Sequence, residues 1–367
     1  MGIKKLPSEL KMQIISFLLQ STLGYRFTFL KSLDVKSPVF SLAYSPQGES
    51  VLTGLDNKTA CVWNAKTGKL QTTLKGHTEK ITSVAWSPQG KTILTGSEDT
   101  TARVWSLKTG ELIKTFSEHS DYISSVAFSP QGDTILIGSW DATAYMWSLE
   151  TGKLVTTFQE EDPITSVTYS PDGAGVLIGT WNKKASIWNA KTGKRVTTLK
   201  GHRKGINSVA WSPDGETVLT GSQDKTGCLW NSKTGKLLTT LKGHTGEILS
   251  VAFNPTGETV FTVSEDTTTC VWSCKTGEPL RTFKDQEDGT CIACSPTGRM
   301  ILIGSWNNTV HIWKSLRNFE DLTQEQKTAS FKQFMAWYPL LLKKTTYAED
   351  SSIQKQQKAP LEPELNR

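Results

Sequence analysis

Seven tryptophans recur along the chain at intervals of 41 or 42 residues. They are Trp63, Trp105, Trp147, Trp188, Trp230, Trp272 and Trp313. Each ends a short β-rich run such as ACVW, and the repeat also contains runs such as ITSVAW, TILTGS and KLQTTL. Four short strands in a period of this length are typical of four-stranded blades arranged around an axis. The sequence therefore predicts an all-β fold, a seven-bladed β-propeller of antiparallel blades.

Turn sequences separate the predicted strands. Ser-Pro-x-Gly or a near match occurs seven times, and a Lys-Thr-Gly or Glu-Thr-Gly turn follows six of the seven tryptophans. Trp313 is followed instead by KSLRN, without a fourth strand, whereas one unattached strand-like run, YRFTFLKSL at residues 25–33, precedes the first repeat. We predict that this run completes blade 7, because pairing the two ends closes the ring and removes an exposed sheet edge.

These features resemble the WD-repeat (WD40) β-propeller family over residues 25–315. The resemblance rests on the four-strand pattern, the terminal tryptophans and three Gly-His pairs, Gly76-His77, Gly201-His202 and Gly243-His244. Asn or Ser follows most of the tryptophans where the family has Asp, but this position is a surface turn. The resemblance implies a non-catalytic scaffold for protein–protein interaction that needs no cofactor.

Histidine is scarce, and four of the five histidines occupy one position of the repeat. The turn residue six before the tryptophan is aspartate in those four repeats and asparagine in the other three. Because an unpaired buried carboxylate is costly, we interpret each histidine as the donor that the aspartate needs. The predicted structural network, repeat by repeat, is His77, Ser97, Asp99 and Trp105; His119, Ser139, Asp141 and Trp147; His202, Ser222, Asp224 and Trp230; and His244, Ser264, Asp266 and Trp272.

Ser, His and Asp are also the residue types of a hydrolase triad. Four copies of one triad in a single chain are better explained by blade packing, so we predict no catalytic residues and no enzyme activity. The pair Cys291 and Cys294 has the C-x-x-C spacing of redox and metal sites. Residues three apart in a strand point to opposite faces, however, so we predict strand packing here and no metal site.

The residue before the turn Asp or Asn varies from repeat to repeat. In the resembled family this position opens onto one end of the propeller, as do the residues that flank the first apolar residue of strand one. From these positions the candidate partner-binding residues are Phe40, Lys80, Tyr122, Trp140, Trp181, Leu249 and Trp306. Clustered tryptophan and tyrosine are typical of protein interfaces. The alternative is that each indole folds over the neighbouring blade and only seals the channel.

The first 24 residues contain LPSELKMQIISFL, which resembles the opening of an F-box, a domain that docks on a Skp1-like adaptor of a ubiquitin ligase. The corresponding adaptor-binding residues would be Leu6, Pro7, Leu10, Ile14 and Leu18. The match is shorter than a complete F-box, so the alternative is a helix that caps the propeller. We predict that residues 316–344 form a C-terminal helical segment. We predict that residues 345–367, which are polar and contain proline, form a disordered tail.

Composition limits the remaining classes of function. The formal net charge is +6, and no block of five or six like charges occurs, so nucleic-acid binding is not expected. No apolar run reaches the length of a membrane-spanning helix. We expect a cytoplasmic monomer that binds a protein or peptide. The alternative is a substrate receptor of an SCF-like ubiquitin ligase.

Overall fold

A computed structural model of the chain describes residues 27–284 and 288–315, and these residues form seven four-stranded antiparallel sheets. The first strand, β1, spans Phe27–Asp34. Blade 1 contains β2 (Val39–Tyr44), β3 (Ser50–Leu55), β4 (Thr59–Asn64) and β5 (Leu70–Lys75). Blade 2 contains β6 (Ile81–Trp86), β7 (Thr92–Ser97), β8 (Ala102–Ser106) and β9 (Leu112–Phe116). Blade 3 contains β10 (Ile123–Phe128), β11 (Thr134–Ser139), β12 (Thr143–Ser148) and β13 (Leu154–Gln159).

The later blades repeat this plan. Blade 4 contains β14 (Ile164–Tyr169), β15 (Gly175–Thr180), β16 (Lys184–Asn189) and β17 (Arg195–Lys200). Blade 5 contains β18 (Ile206–Trp211), β19 (Thr217–Ser222), β20 (Gly227–Asn231) and β21 (Leu237–Leu241). Blade 6 contains β22 (Ile248–Phe253), β23 (Thr259–Ser264), β24 (Thr268–Ser273) and β25 (Pro279–Lys284). Blade 7 contains β26 (Gly289–Cys294), β27 (Met300–Ser305) and β28 (Thr309–Ser315), together with β1.

Each blade is a meander whose first strand lies innermost and whose fourth strand lies on the rim. The innermost strands of consecutive blades contact one another around the axis, and β26 contacts β2 to complete the circle. Blade 7 has the strand order β26-β27-β28-β1, so its outermost strand comes from the beginning of the chain. The prediction of a seven-bladed propeller closed by the N-terminal strand is confirmed.

Blades pack on each other through a glycine in the second strand. A Cβ atom added to Gly54 would lie 2.9 Å from side-chain carbons of both Ile81 and Val84 in the next blade. Five further blades have glycine at this position, in close contact with the next innermost strand; these glycines are Gly96, Gly138, Gly179, Gly221 and Gly304. The second strand of one blade therefore lies directly against the innermost strand of the next.

Blade 6 departs from this rule and is compensated by its neighbour. Val263 occupies the glycine position of β23, opposite Ser250 in the register, and is completely buried. In blade 7, Gly289 occupies the position that isoleucine or valine fills in the other innermost strands. The two positions face each other between blades, so the larger residue and the smaller one have exchanged places. The total volume at the contact is preserved, as a close-packed interior requires.

The closing strand is anchored by both pairing and packing. β1 runs antiparallel to β28, from Phe27 opposite Ser315 to Asp34 opposite Thr309. The Phe27 ring is buried and makes edge-to-face contacts with Phe261 and Phe283 of blade 6, each with 5.7 Å between centroids. Closure therefore joins blade 7 to its neighbour as well as completing its own sheet.

Several predictions made from the sequence concern other parts of the chain. The F-box-like segment 1–24, the helical segment 316–344 and the tail 345–367 lie outside the described residues. Within residues 27–284 and 288–315 there are only strands, turns and loops, and none of these residues belongs to a helix that could cross a membrane.

Truncation of Phe27 tests the closing contact. We expect Phe27→Ala to lower the free energy of unfolding by about 3–5 kcal/mol, because the change leaves a cavity between two blades. Phe29→Ala is the matched control, since Phe29 lies on the same strand but is 52% exposed. Urea unfolding of the two variants gives the comparison, and equal losses of stability would contradict the role assigned to Phe27.

Candidate functional site

One backbone hydrogen bond brings the two variable positions of each blade together. In blade 3 the Trp140 amide donates to the Tyr122 carbonyl over 3.1 Å. The same bond occurs in every blade, and the residue pairs that it joins are Pro38 and Asp56, Lys80 and Glu98, Tyr122 and Trp140, Pro163 and Trp181, Gly205 and Gln223, Glu247 and Glu265, and Asp288 and Trp306. All fourteen residues lie where the second strand turns into the third and where the chain enters each blade. We call them the upper-face ring.

A tight turn holds the second member of each pair at this face. In blade 3, Asp141 Oδ1 accepts hydrogen bonds from the Thr143 amide at 2.9 Å and the Thr143 hydroxyl at 2.6 Å. The intervening Ala142 has φ of 66°, a conformation unfavourable for a residue with a Cβ. The equivalent residue has positive φ in all seven blades. The turn is thus constant, while the residue before the Asp or Asn is free to vary.

Three aromatic residues form a continuous patch across blades 3 and 4. The ring centroids of Tyr122 and Trp140 are 4.8 Å apart, and those of Trp140 and Trp181 are 5.3 Å apart. Trp181 is 47% exposed, and the other two are half-buried. Burial and the nearby carboxylates Asp121 and Glu98 raise the pKa of Tyr122 above its ordinary range, so its hydroxyl stays neutral. We call these three residues the aromatic patch.

A separate pocket of about 440 Å³ opens on the same face around blade 7. Phe40 and Trp306 meet edge to face in its wall, with 5.0 Å between ring centroids, and Leu249 lines it as well. Its remaining lining residues are Glu265, Asp288, Gly289 and Thr290. We call this cavity the carboxylate pocket. Of the predicted face residues, the structure therefore places Phe40, Leu249 and Trp306 together and Tyr122, Trp140 and Trp181 together.

The second residue of the innermost strand explains why Phe40 and Leu249 reach the pocket. In five blades this position carries a polar side chain that donates to a carbonyl of the next blade, as Thr82 Oγ1 does to Ile123 O over 2.5 Å. The other four donors are Ser124, Thr165, Asn207 and Thr290. Phe40 and Leu249 replace this donor in blades 1 and 6, which flank blade 7. Their apolar side chains line a cavity in place of linking two blades.

Lys80 is the basic member among the fourteen residues of the upper-face ring. Its Nζ lies 2.9 Å from Glu98 Oε1 and 4.7 Å from the centroid of the Phe40 ring. The ammonium therefore lies between a carboxylate and an aromatic ring, an arrangement that satisfies its charge on both sides. Lys80 thus connects the Phe40 ring of blade 1 with the Glu98 carboxylate of blade 2.

Beneath the ring, the histidines contact the aspartates in all four repeats that contain both. In blade 2, His77 Nδ1 is 2.7 Å from Asp99 Oδ2, and His77 Nε2 is 2.7 Å from Thr95 Oγ1. Thr95 Oγ1 also accepts a hydrogen bond from Trp105 Nε1 over 2.9 Å. Blades 5 and 6 have the same chain of contacts, through Thr220 and Thr262. Threonine, which the sequence reasoning did not include, is therefore the link between histidine and tryptophan.

The serines contact the turn aspartates through the main chain and not through the histidines. Ser97 Oγ donates to the carbonyls of Glu79 and Lys80 and accepts from the Asp99 amide. Ser139 and Ser222 make the corresponding bonds. In these blades the serine connects the entering loop to the turn and holds the two members of an upper-face pair side by side. Ser97 bonds to main-chain carbonyls, so it does not form the serine–histidine contact of a hydrolase triad.

Blade 3 has an incomplete version of the network. Ile137 stands where blades 2, 5 and 6 have threonine, and neither His119 Nε2 nor Trp147 Nε1 has a hydrogen-bond partner among the described residues. The His119 ring stacks instead on Tyr145, with 4.2 Å between centroids and 17° between planes. Its bond to Asp141, 2.8 Å long, is retained. The buried polar atoms of this blade are thus the least satisfied of the four.

Blade 4 carries a carboxylate in the histidine position. Glu160 Oε1 accepts a hydrogen bond from Trp188 Nε1 over 2.8 Å and another from the Ser186 hydroxyl. Glu160 Oε2 lies 2.8 Å from a nitrogen of Arg195, whose guanidinium stacks 4.6 Å from the Trp188 ring centroid. The turn residue opposite is neutral Asn182, so a second carboxylate does not face Glu160. Blade 4 therefore replaces both members of the pair, with Glu160 in the histidine position and Asn182 in the aspartate position.

The aspartates of the network stay ionised. Burial alone would raise the pKa of Asp99, but hydrogen bonds from His77, Thr101 and the Thr78 amide hold it well below its usual range. The pKa values of Asp141, Asp224 and Asp266 are lowered in the same way. Since these folded-state values are depressed, each carboxylate stabilises the fold above its ordinary pKa. That contribution is lost as pH falls from this range toward the folded-state value.

The two cysteines of the C-x-x-C spacing pack against different core clusters. Cys291 packs in the core cluster with Val39 and Val310, whereas Cys294 packs against the cluster of Phe27 and Ile303. Neither belongs to a disulfide. Within the described ranges, no group of three His, Cys, Asp or Glu side chains could hold a metal ion.

The repeats match known families along most of the propeller. Residues 38–195 match the family described as IFT122 first beta-propeller. Residues 193–231, 235–273 and 277–314 match the WD domain, G-beta repeat. The chain therefore contains WD repeats, and propellers of this type are typically non-catalytic scaffolds for protein interaction. No curated protein matches the chain significantly.

Replacement of Thr220 tests the threonine link. We expect Thr220→Val to lower the free energy of unfolding by about 2 kcal/mol, because His202 Nε2 and Trp230 Nε1 both lose a buried partner. Thr220→Ser keeps the hydroxyl and serves as the control, with a smaller loss. Chemical denaturation of both variants makes the comparison, and a Val variant as stable as the Ser variant would remove the link from the network.

Proposed function

Because the chain contains WD repeats arranged as a seven-bladed propeller, we propose that it is a non-catalytic scaffold that binds a protein or peptide on its upper face. The observation that carries this proposal is the aromatic patch. Trp140 packs between Tyr122 and Trp181, and nearly half of the Trp181 surface is exposed to solvent. Rigid aromatic side chains with this exposure are typical of the residues that dominate binding energy at interfaces.

The geometry favours an extended ligand. The aromatic patch lies on blades 3 and 4, and the carboxylate pocket lies across the channel mouth on blades 6, 7 and 1. A peptide that crosses the mouth would contact both, with apolar contacts at one end and polar contacts at the other. Lys80, between the two sectors, would contact the middle of such a ligand. Extended peptides are a common ligand for grooves of this kind.

Alanine variants of the patch test the proposal. We expect Trp140→Ala and Trp181→Ala each to weaken binding of a peptide selected from a displayed random library by about tenfold or more. Leu238→Ala is the matched control, since Leu238 is 56% exposed but lies on β21 at the rim. Fluorescence anisotropy gives the dissociation constants. Binding that is unchanged in both Trp variants, with the fold intact by thermal melting, would assign the ligand to another surface.

A second candidate function is a substrate receptor of an SCF-like ubiquitin ligase, favoured by the F-box-like segment LPSELKMQIISFL. In that function Leu6, Pro7, Leu10, Ile14 and Leu18 would dock on a Skp1-like adaptor, and the upper face would select substrates. The competing interpretation is a cap on the propeller.

A direct binding assay with a purified Skp1-like adaptor separates these alternatives. A receptor would bind the adaptor as the intact chain and lose it on deletion of residues 1–24, which leaves β1 in place. An intact chain that shows no adaptor binding at micromolar concentration would leave the scaffold function alone.

A further inference from the structure

The upper-face ring carries the opposite charge from the chain as a whole. The chain has a formal net charge of +6. Among the fourteen ring positions, five are acidic and one is basic. The acidic members are Asp56, Glu98, Glu247, Glu265 and Asp288, and the basic member is Lys80. A local reversal of sign against the overall charge attracts ligands of positive charge.

Three of the five carboxylates, those of Asp56, Glu265 and Asp288, form no ion pair within the described ranges, and two of these three lie together. Glu98 pairs with Lys80 over 2.9 Å, and Glu247 lies 3.9 Å from Lys204. Glu265 and Asp288 form no ion pair with any residue in the described ranges, and both line the carboxylate pocket. Trp306, which is 51% exposed, forms an aromatic wall beside them. The pocket thus combines two unpaired anions with an accessible indole.

The same face already shows how such a site holds a cation. The Lys80 ammonium lies between the Glu98 carboxylate and the Phe40 ring. Glu265 occupies in blade 6 the ring position that Glu98 occupies in blade 2. Phe40 contributes to both arrangements, since it also lines the pocket with Trp306. The arrangement at Glu98 is filled by the Lys80 side chain, whereas the carboxylate pocket at Glu265 is open.

We propose that the carboxylate pocket binds the side chain of a lysine or arginine, so that the ligand of the upper face is a basic peptide. This deepens the proposed scaffold function and rests on it. Glu265 and Asp288 supply charge-assisted hydrogen bonds to the cation, and the Trp306 ring supplies a cation–π contact. Leu249 and Phe40 contact the aliphatic stem, which long basic side chains place against apolar surface. The volume of about 440 Å³ exceeds that of either side chain.

Small cations test the pocket directly. The chain is labelled with 5-fluorotryptophan, and Trp306→Phe identifies the ¹⁹F resonance of Trp306 among those of the thirteen tryptophans. Titration uses N-acetyl-arginine amide, N-acetyl-lysine amide and the neutral isostere N-acetyl-citrulline amide. We expect a saturable shift of the Trp306 resonance with at least one of the two cations and none with citrulline. An equal response to citrulline overturns the proposal.

Isosteric variants provide the matched control. Glu265→Gln combined with Asp288→Asn removes both charges of the pocket with little change of shape, and we expect it to weaken cation binding by about tenfold or more. Asp56→Asn makes the same kind of charge change at a ring position outside the pocket, and we expect less than about a twofold effect because exposed charges at a distance are screened. Retained affinity in the double variant, or an equal loss in the Asp56 variant, overturns the proposal.

Peptide selection separates this proposal from the proposed function. Peptides selected on the wild-type chain should be enriched in lysine or arginine and lose affinity for the double variant. If the selected peptides require Trp140 and Trp181 but contain no basic residue, the scaffold function stands and the cation pocket is wrong. If cations bind the pocket but no selected peptide depends on the aromatic patch, the pocket stands and the proposed peptide groove is wrong.

Discussion

The contact between a glycine on one blade and two aliphatic side chains on the next sets the spacing of the whole propeller. At Gly54, Gly96 or Gly221 there is no room for a side chain, because isoleucine and valine of the following blade occupy the space. The glycine contacts of six blades, together with the exchanged pair Val263 and Gly289, fix how closely the blades approach and therefore how wide the channel is. The upper-face residue lies two positions beyond the glycine, so the same contact determines where that residue projects. Blade 6 shows how strict the constraint is, since Val263 is accommodated only where Gly289 stands opposite.

Much of the fold could be predicted from the sequence because its signals are periodic. The tryptophan spacing predicts the number of blades, and the missing fourth strand after Trp313 predicts the closure by β1. The core residues change little from blade to blade, since every blade packs against its neighbours in the same way. The residues of the upper face vary because their side chains point away from that contact. The adjacency of Trp140 and Trp181 on neighbouring blades followed from the same periodicity.

Other parts of the site could not be read so easily. Thr95 was missed because alternation between Thr and Ile at its position is ordinary for a buried strand. A usable signal existed, since threonine occurs ten residues before the tryptophan in three of the four repeats with histidine. Glu160 could have been found by asking which residue fills the histidine position of blade 4. The grouping of Glu265 and Asp288 with Phe40 could not be read from the repeat, because it depends on the innermost strands of blades 1 and 6 lacking a polar side chain between blades.

Strand β1 and strand β28 lie nearly three hundred residues apart in the chain, yet they are neighbours in blade 7. During synthesis the chain emerges from its N-terminus, so β1 leaves the ribosome long before its partner exists. Six blades can form in order from local hairpins, but the seventh must wait for the last strand to be translated. Until then β1 is an apolar strand with an unpaired edge. Each blade that forms in the meantime has an edge that resembles the edge of β28, with which β1 pairs in the complete fold. The ring therefore closes late in the synthesis of each molecule, and the time of closure depends on translation as well as on the energetics of the folded state.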